Sequence, residues 1–262
     1  MLKWFRFQAM SPTVLHLGVN IDHVATLRQA RYAPDPYAFN AEPSLESAAR
    51  VCEKAGAQSL TIHLRADRRH LQDGDLPRLR AVVKTKLNLE LGNTPEIVAI
   101  ALREHPEDVC LVPEQRREVT TEGGLDVMTH RAALAPTIQV FARENIRVSL
   151  FIDPDAPQIE AAAALNARVI ELHTGAYANA ASESDLRREL DRLRVAAELG
   201  FSRGLVVNAG HGLNYANVPA FLAAVPHLHE LNIGHSIVSR AVFTGLDAAV
   251  REMLGLLRGY SL

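Results

Sequence analysis

The sequence predicts a single (β/α)8 barrel, and three observations carry that expectation. The chain has 262 residues, close to the roughly 250 typical of the fold. Eight short apolar-rich segments recur along it. Stretches with helical periodicity separate them, and this alternation of strand and helix is the order that builds a closed parallel sheet.

Taken in chain order, VLHLGVNID (14–22) is the first strand segment, followed by the Pro-rich RYAPDPYAFNAEPS, the longest irregular insert. SLESAARVCEKAG (44–56) then opens on a Ser able to cap a helix and closes on Gly. SLTIHLR (59–65) and KLNLELG (86–92) are the second and third strands. TPEIVAIALREHP (94–106) is a helix opened by Thr and ended by His-Pro, and DVCLVPE (108–114) is the fourth strand. The loop RREVTTEGGLD (116–126) is long and Gly-containing enough to fold over the mouth as a lid. RVSLFID (147–153) and RVIELHT (168–174) follow as strands, then the helix SESDLRRELDRLRVAAELG (182–200), and finally the strands GLVVNAG (204–210) and ELNIGH (230–235). Residues 1–13 read as a loosely attached extension, with Met10 an alternative start, and 14–262 as one catalytic domain.

Strands of a parallel barrel are usually buried on both faces and read as continuous apolar runs. Here one face is polar. Ser59, Thr61, His63 and Arg65 alternate with Leu60, Ile62 and Leu64, and Lys86, Asn88 and Glu90 with Leu87, Leu89 and Leu91. His16, Asn20 and Asp22 alternate in the first strand, and Glu171 and His173 in the sixth. Successive side chains point to opposite faces and the apolar set must meet the helices, so the polar set points into the barrel.

Active sites of this fold lie at the C-terminal ends of the strands. The residues expected there are Asn20, Asp22, His23, His63, Arg65, Glu90, Glu114, Asp153, His173, Asn208, His211, Gly234 and His235. Any one of them alone is more often a satisfied core polar group than a catalyst. Ionisable groups are costly to bury unpaired, so several converging at one end point to a wet substrate chamber. Histidine, which titrates near neutrality, suits proton transfer there. RADRRH (65–70) gathers Arg65, Arg68, Arg69 and His70 in a form suited to phosphate, although a solvated loop has the same composition. NAGHG and NIGHS, after strands seven and eight, bring glycines and helix starts to the recurrent phosphate position of such barrels.

Formal net charge is -2, so no global field favours nucleic acid or an anionic membrane. Cys52 and Cys110 match no metal or redox spacing and are expected as core thiols in a reducing cytosol. The opening residues lack the apolar stretch of a secretory signal, and no segment approaches a membrane span.

GVNIDHVATLRQAR (18–31), TIHLRADRRH (61–70), LNLELG (87–92), LVPEQRREVTTEGGLD (111–126), VSLFID (148–153), ELHTGAYA (171–178), VNAGHGLNY (207–215) and HELNIGH (229–235) together resemble the pyridoxine 5′-phosphate synthase family. The resemblance runs in order from about Leu17 to the C-terminal helix. It implies a (β/α)8 barrel with extra helices and a cytoplasmic homo-octamer. The implied reaction condenses 1-deoxy-D-xylulose 5-phosphate with 3-amino-2-oxopropyl phosphate, without metal or cofactor. Carried over by motif, His63 and Glu90 are proton acceptors, His211 is the proton donor, and Glu171 stabilises charge in the transition state. Asn20, Asp22, His23, Arg65, His70 and Thr120 hold the xylulose phosphate, and Arg31, Gly212, Gly234 and His235 the aminoketone phosphate. The insert 32–44 is longer than in the shorter relatives and follows Arg31 directly, so the delivery of that arginine is open.

Two rival readings remain at this level. A metal-dependent barrel hydrolase would want His-x-His at a strand's C-terminal end, and the one such pair, His227 and His229, precedes the expected eighth strand. A non-catalytic sugar-phosphate-binding barrel would not need the excess of inward acid–base groups.

Overall fold

The computed structural model of the chain describes residues 14–114 and 123–260. The extension 1–13, Thr120 and most of the expected lid lie outside the described residues. Eight strands, β1 (His16–Asn20), β2 (Ser59–His63), β3 (Lys86–Leu91), β4 (Asp108–Leu111), β5 (Arg147–Ile152), β6 (Val169–His173), β7 (Val206–Gly210) and β8 (Leu228–Ile233), pair in that order and close on β1. Every pairing is parallel. Helices α1 (Asp22–Tyr32) and α2 (Leu45–Ala55) link β1 to β2. Then come α3 (Asp75–Val82), α4 (Pro95–Glu104), α5 (Val127–Arg143) and α6 (Ala156–Ala164), one per crossover. The short α7 (Gly175–Ala178) precedes α8 (Glu183–Ser202), α9 (Val218–Ala224) follows β7, and α10 (His235–Thr244) and α11 (Leu246–Leu257) complete the ring.

The expected caps form. Ser44 Oγ accepts from Ser47 N–H, Thr94 Oγ1 from Ile97 N–H with Pro95 behind it, and Gly56 turns left-handed (φ 111°) after α2. The expected end of α8 is corrected. The helix passes Gly200 and runs to Ser202, because Gly200 serves close packing: a Cβ there would lie 2.8 Å from Ile170 Cδ1. The left-handed stop is Gly204 (φ 76°).

The hydrophobic core is the shell between sheet and helices. Leu60, Ile62, Leu64, Leu87, Leu89 and Leu91 are fully buried there, each contributing about 1.5–3 kcal/mol. Cys52 is buried in this shell and Cys110 in a small cluster with Val112 and Phe151, and both thiols are free. Burial pushes the Cys52 thiol up to about 12, leaving it protonated.

Inside the barrel, polar residues form layers. Thr61 Oγ1 donates to Asn232 Oδ1 and accepts from Asn88 Nδ2–H. Near the N-terminal strand ends, Lys86 Nζ lies 2.9 Å from both Glu230 and Asp108, and Arg147 donates to both Asp108 oxygens. β8 starts at Leu228, two residues earlier than expected, which places His229 within the strand. His229 still lies at the N-terminal end, its ring 4.8 Å from that of His16, while His227 stacks on Phe201. Among the described residues, no helix is long and apolar enough to cross a membrane.

Candidate active site

A cavity of about 590 Å³ opens at the C-terminal mouth of the barrel. Asn20, Asp22, His23, His63, Arg65, His70, Glu90, Glu171, His211, Gly212, Gly234 and His235 all line it. Arg31 does not. It occupies the last turn of α1, nine residues beyond Asp22, which at 1.5 Å per residue is about 13 Å along the helix, and its guanidinium lies over the Tyr32 ring.

The β1 tip forms a compact hydrogen-bonded turn. Asn20 Oδ1 accepts from Asp22 N–H, Asn20 Nδ2 donates to Asp22 Oδ2, and Asp22 Oδ1 accepts from His63 N–H at 2.8 Å. Asp22 therefore fastens β1 to β2 at the chamber floor. His70 stands 3.9 Å from the same Asp22 oxygen, and its Nδ1 accepts from Leu71 N–H. The RADRRH cluster divides. Arg65 and Arg69 line the cavity and share Asp67, whereas Arg68 turns outward to Asp73 and Glu96.

Glu90 and Glu171 face one another across the floor. Burial raises the Glu90 carboxyl well above its ordinary value, and the Glu171 and Asp22 charges add to this. Glu171 is raised for the same first reason, although Asn232 Nδ2 donates to its Oε2. Gly210 makes room for Glu171, since a Cβ at that position would lie 2.5 Å from Oε1.

The loop after β7 begins with His211 and Gly212, both at the chamber wall. His211 adopts φ +79°, which aims its ring into the chamber. Thr174 Oγ1 lies within 2.7 Å of the Gly210 and His211 carbonyls, and Asn217 Nδ2 donates to Gly212 O. Burial, with His173 secondary, pushes the His211 imidazole down to about 4. His173 sits behind it, with ring centroids 5.0 Å apart and Nδ1 3.0 Å from Asp153 Oδ1. On the far side His23 and His235 meet at 3.2 Å between Nδ1 atoms, and burial followed by His235 lowers His23.

Sequence reasoning missed Asn232, whose place on the inward face is given by the alternation Glu230, Asn232, Gly234. Asn179 and Ser236 also line the chamber without any pattern marking them. One cluster was missed for a different reason. Asp22, His63 and His70 bring ligand atoms within 4.8 Å of one another, but Asp22 comes from the β1 tip and the two histidines from the β2 tip and loop, a pattern no spacing motif marks. Asp22 Oδ1 and His70 Nδ1 already accept backbone N–H bonds, which leaves this trio less available to a cation.

Fold and cavity together define the class: a (β/α)8 barrel enzyme whose chamber lies at the C-terminal mouth. Solved structures agree on the fold. A thiamine phosphate pyrophosphorylase from Pyrococcus furiosus superposes with TM-score 0.58 at 14% identity, covering 94% of this chain and 96% of that one. Monomers of the phosphoribosylanthranilate isomerase from Thermotoga maritima give 0.55 at 11%, covering 94% and 99%. The family model for pyridoxal phosphate biosynthesis protein PdxJ matches residues 17–259, and the chain belongs to that family. The pyridoxine 5′-phosphate synthase of Akkermansia muciniphila is 59% identical over 237 residues, 90% of this chain and 96% of that protein. That of Opitutus terrae is 53% identical over 240 residues, covering 90% and 96%.

Proposed function

We propose that the chamber condenses 1-deoxy-D-xylulose 5-phosphate with 3-amino-2-oxopropyl phosphate to pyridoxine 5′-phosphate, inorganic phosphate and water. The observation that carries this reading is the convergence of His63, Glu90, Glu171 and His211 on one cavity that also holds cationic and backbone donors on two sides. Closing a pyridine ring from an amine and two carbonyl compounds needs imine formation, a carbon–carbon bond and several dehydrations, each with a proton to move. His63 and Glu90 accept protons, and a carboxyl raised by burial is the stronger base for it. His211 donates, and Glu171 offsets positive charge as it develops. Asn20, Asp22, His23, Arg65, His70 and Thr120 hold the xylulose phosphate. Gly212, Gly234 and His235 hold the aminoketone phosphate at the start of α10, where backbone N–H groups favour an anion, while Arg31, which the family motif assigns to the same phosphate, lies outside the cavity lining. The chain works as a cytoplasmic homo-octamer without a cofactor.

The test is incubation of purified protein with both phosphorylated substrates and detection of the pyridoxine chromophore. Product should need both substrates and survive exhaustive chelation. Loss of turnover in EDTA, restored by a divalent ion, would instead favour a metal held by Asp22, His63 and His70.

A further inference from the structure

Glu114 follows β4 and lies just outside the cavity lining, yet its carboxylate is fixed by three donors, two from the end of β2 and its loop and one from the residue after β3. Oε1 is 3.0 Å from His63 Nε2 and 3.1 Å from Gly92 N, and Oε2 is 3.0 Å from Ala66 N. Two of these donors are backbone groups just past the ends of β2 and β3, so the barrel itself sets the carboxylate's position. Burial alone would raise this carboxyl, but the bonds from His63, Ala66 and Gly92 outweigh it and hold Glu114 below the usual carboxylate range. On the other edge of the His63 ring, Nδ1 lies 3.7 Å from Glu90 Oε2. A neutral imidazole carries one N–H, and an ionised carboxylate can only accept. Nε2 therefore bears the proton, and the lone pair on Nδ1 faces the chamber.

We propose that Glu114 is a positioning residue which locks His63 in the Nε2–H tautomer, makes Nδ1 the proton-accepting atom, and stabilises the imidazolium that forms. This rests on the reading of His63 as a proton acceptor. In the step concerned, a substrate X–H bond breaks, its electron pair stays on the substrate, and an Nδ1–H bond forms. The imidazolium is neutralised by Glu114 across Nε2–H. In a later dehydration Nδ1–H breaks, its proton goes to the departing hydroxyl, and water leaves.

Glu114→Gln keeps the shape and removes the charge. Turnover should fall about 10²- to 10⁴-fold, with KM for each substrate within about 3-fold and a modest drop in thermal midpoint, since the amide must turn its NH2 toward one of the N–H groups now bound by the carboxylate. The ¹⁵N resonances of His63 should lose the single Nε2–H signature, and formate should partly restore turnover in Glu114→Ala. In a His63→Asn background, Glu114→Gln should cost little more, as for residues acting as a unit. Normal turnover in Glu114→Gln beside an impaired His63→Asn would overturn the positioning role alone. Normal turnover in His63→Asn would overturn the proton-acceptor reading and this proposal with it. A joint loss of kcat, substrate affinity and thermal midpoint, with the Nε2–H signature retained, would reduce Glu114 to a structural brace.

Discussion

His211 joins three physical facts that bear on its use. A non-glycine residue at φ +79° holds strain of about 1–2 kcal/mol, which the Thr174 and Asn217 bonds on its loop sustain. Its imidazole is pushed down to about 4 by burial and stays neutral at pH 7, so the proposed donor role needs an anionic substrate beside it to raise that value. In the unfolded chain the same group titrates near 6.5, so between the two values the unfolded state binds more proton. Its contribution to stability is therefore complete above pH 6.5 and lost as the pH falls through 4, by up to about 3 kcal/mol. Asn accepts positive φ better than most residues, which makes His211→Asn a clean probe. Turnover should fall about 10²- to 10⁴-fold, while urea unfolding shows a smaller stability loss between pH 7 and pH 4.5 than the parent chain. Near-normal turnover would hand the donor role to His173, whose Nε2 has no hydrogen-bond partner among the described residues.

All eight strands were legible as short apolar-rich segments between helical stretches, and in β1, β2, β3 and β6 a buried outward row, such as Leu87, Leu89 and Leu91, alternates with an inward polar row at period two. The inward row also gave most of the chamber, since a strand tip fixes where Glu90 or Glu171 must point. Contacts across the mouth were not legible. Glu114 reaches His63 from the loop after β4, and Asp22 at the β1 tip meets His63 and His70 of the β2 tip and loop, through strand pairing that no local spacing encodes. Helix ends were readable where caps decide them, and misread at Gly200, where packing against Ile170 is the reason for the glycine. The α1 helix poses the opposite case. Its motif names Arg31, yet its length carries that residue away from the cavity in this chain. If Arg31 nonetheless meets the aminoketone phosphate, Arg31→Ala should weaken that substrate about 10- to 150-fold and spare the xylulose phosphate. The thermal midpoint should hardly move, since the side chain is exposed. Equal loss for both substrates in steady-state titrations would tie Arg31 to the fold instead.

The two ends of the barrel divide stability and chemistry between them. At the N-terminal end Lys86, Arg147, Asp108 and Glu230 neutralise one another in a closed plug. The C-terminal end gathers Asp22, Glu90 and Glu171 around a cavity and holds the last two carboxyls above their ordinary values, a destabilising arrangement that suits the proposed proton transfer. The sign of this cost is testable through Glu90. A carboxyl whose folded value is raised adds no cost below its unfolded value near 4.5. The cost grows as the pH climbs toward the folded value and is full above it. Replacing it with Gln removes the charge and nearly keeps the shape. Glu90→Gln should therefore match the parent chain at pH 4 and be more stable at pH 8 by about 1–3 kcal/mol, the cost of a buried polar group without adequate partners. Over the same range turnover should drop about 10²- to 10⁴-fold, because an amide cannot accept the proton. Denaturant unfolding at the two pH values, paired with steady-state rates, separates the outcomes. A variant less stable at pH 8 would mean that the ionised Glu90 supports the barrel, and its place as the proton acceptor would then lose its physical basis.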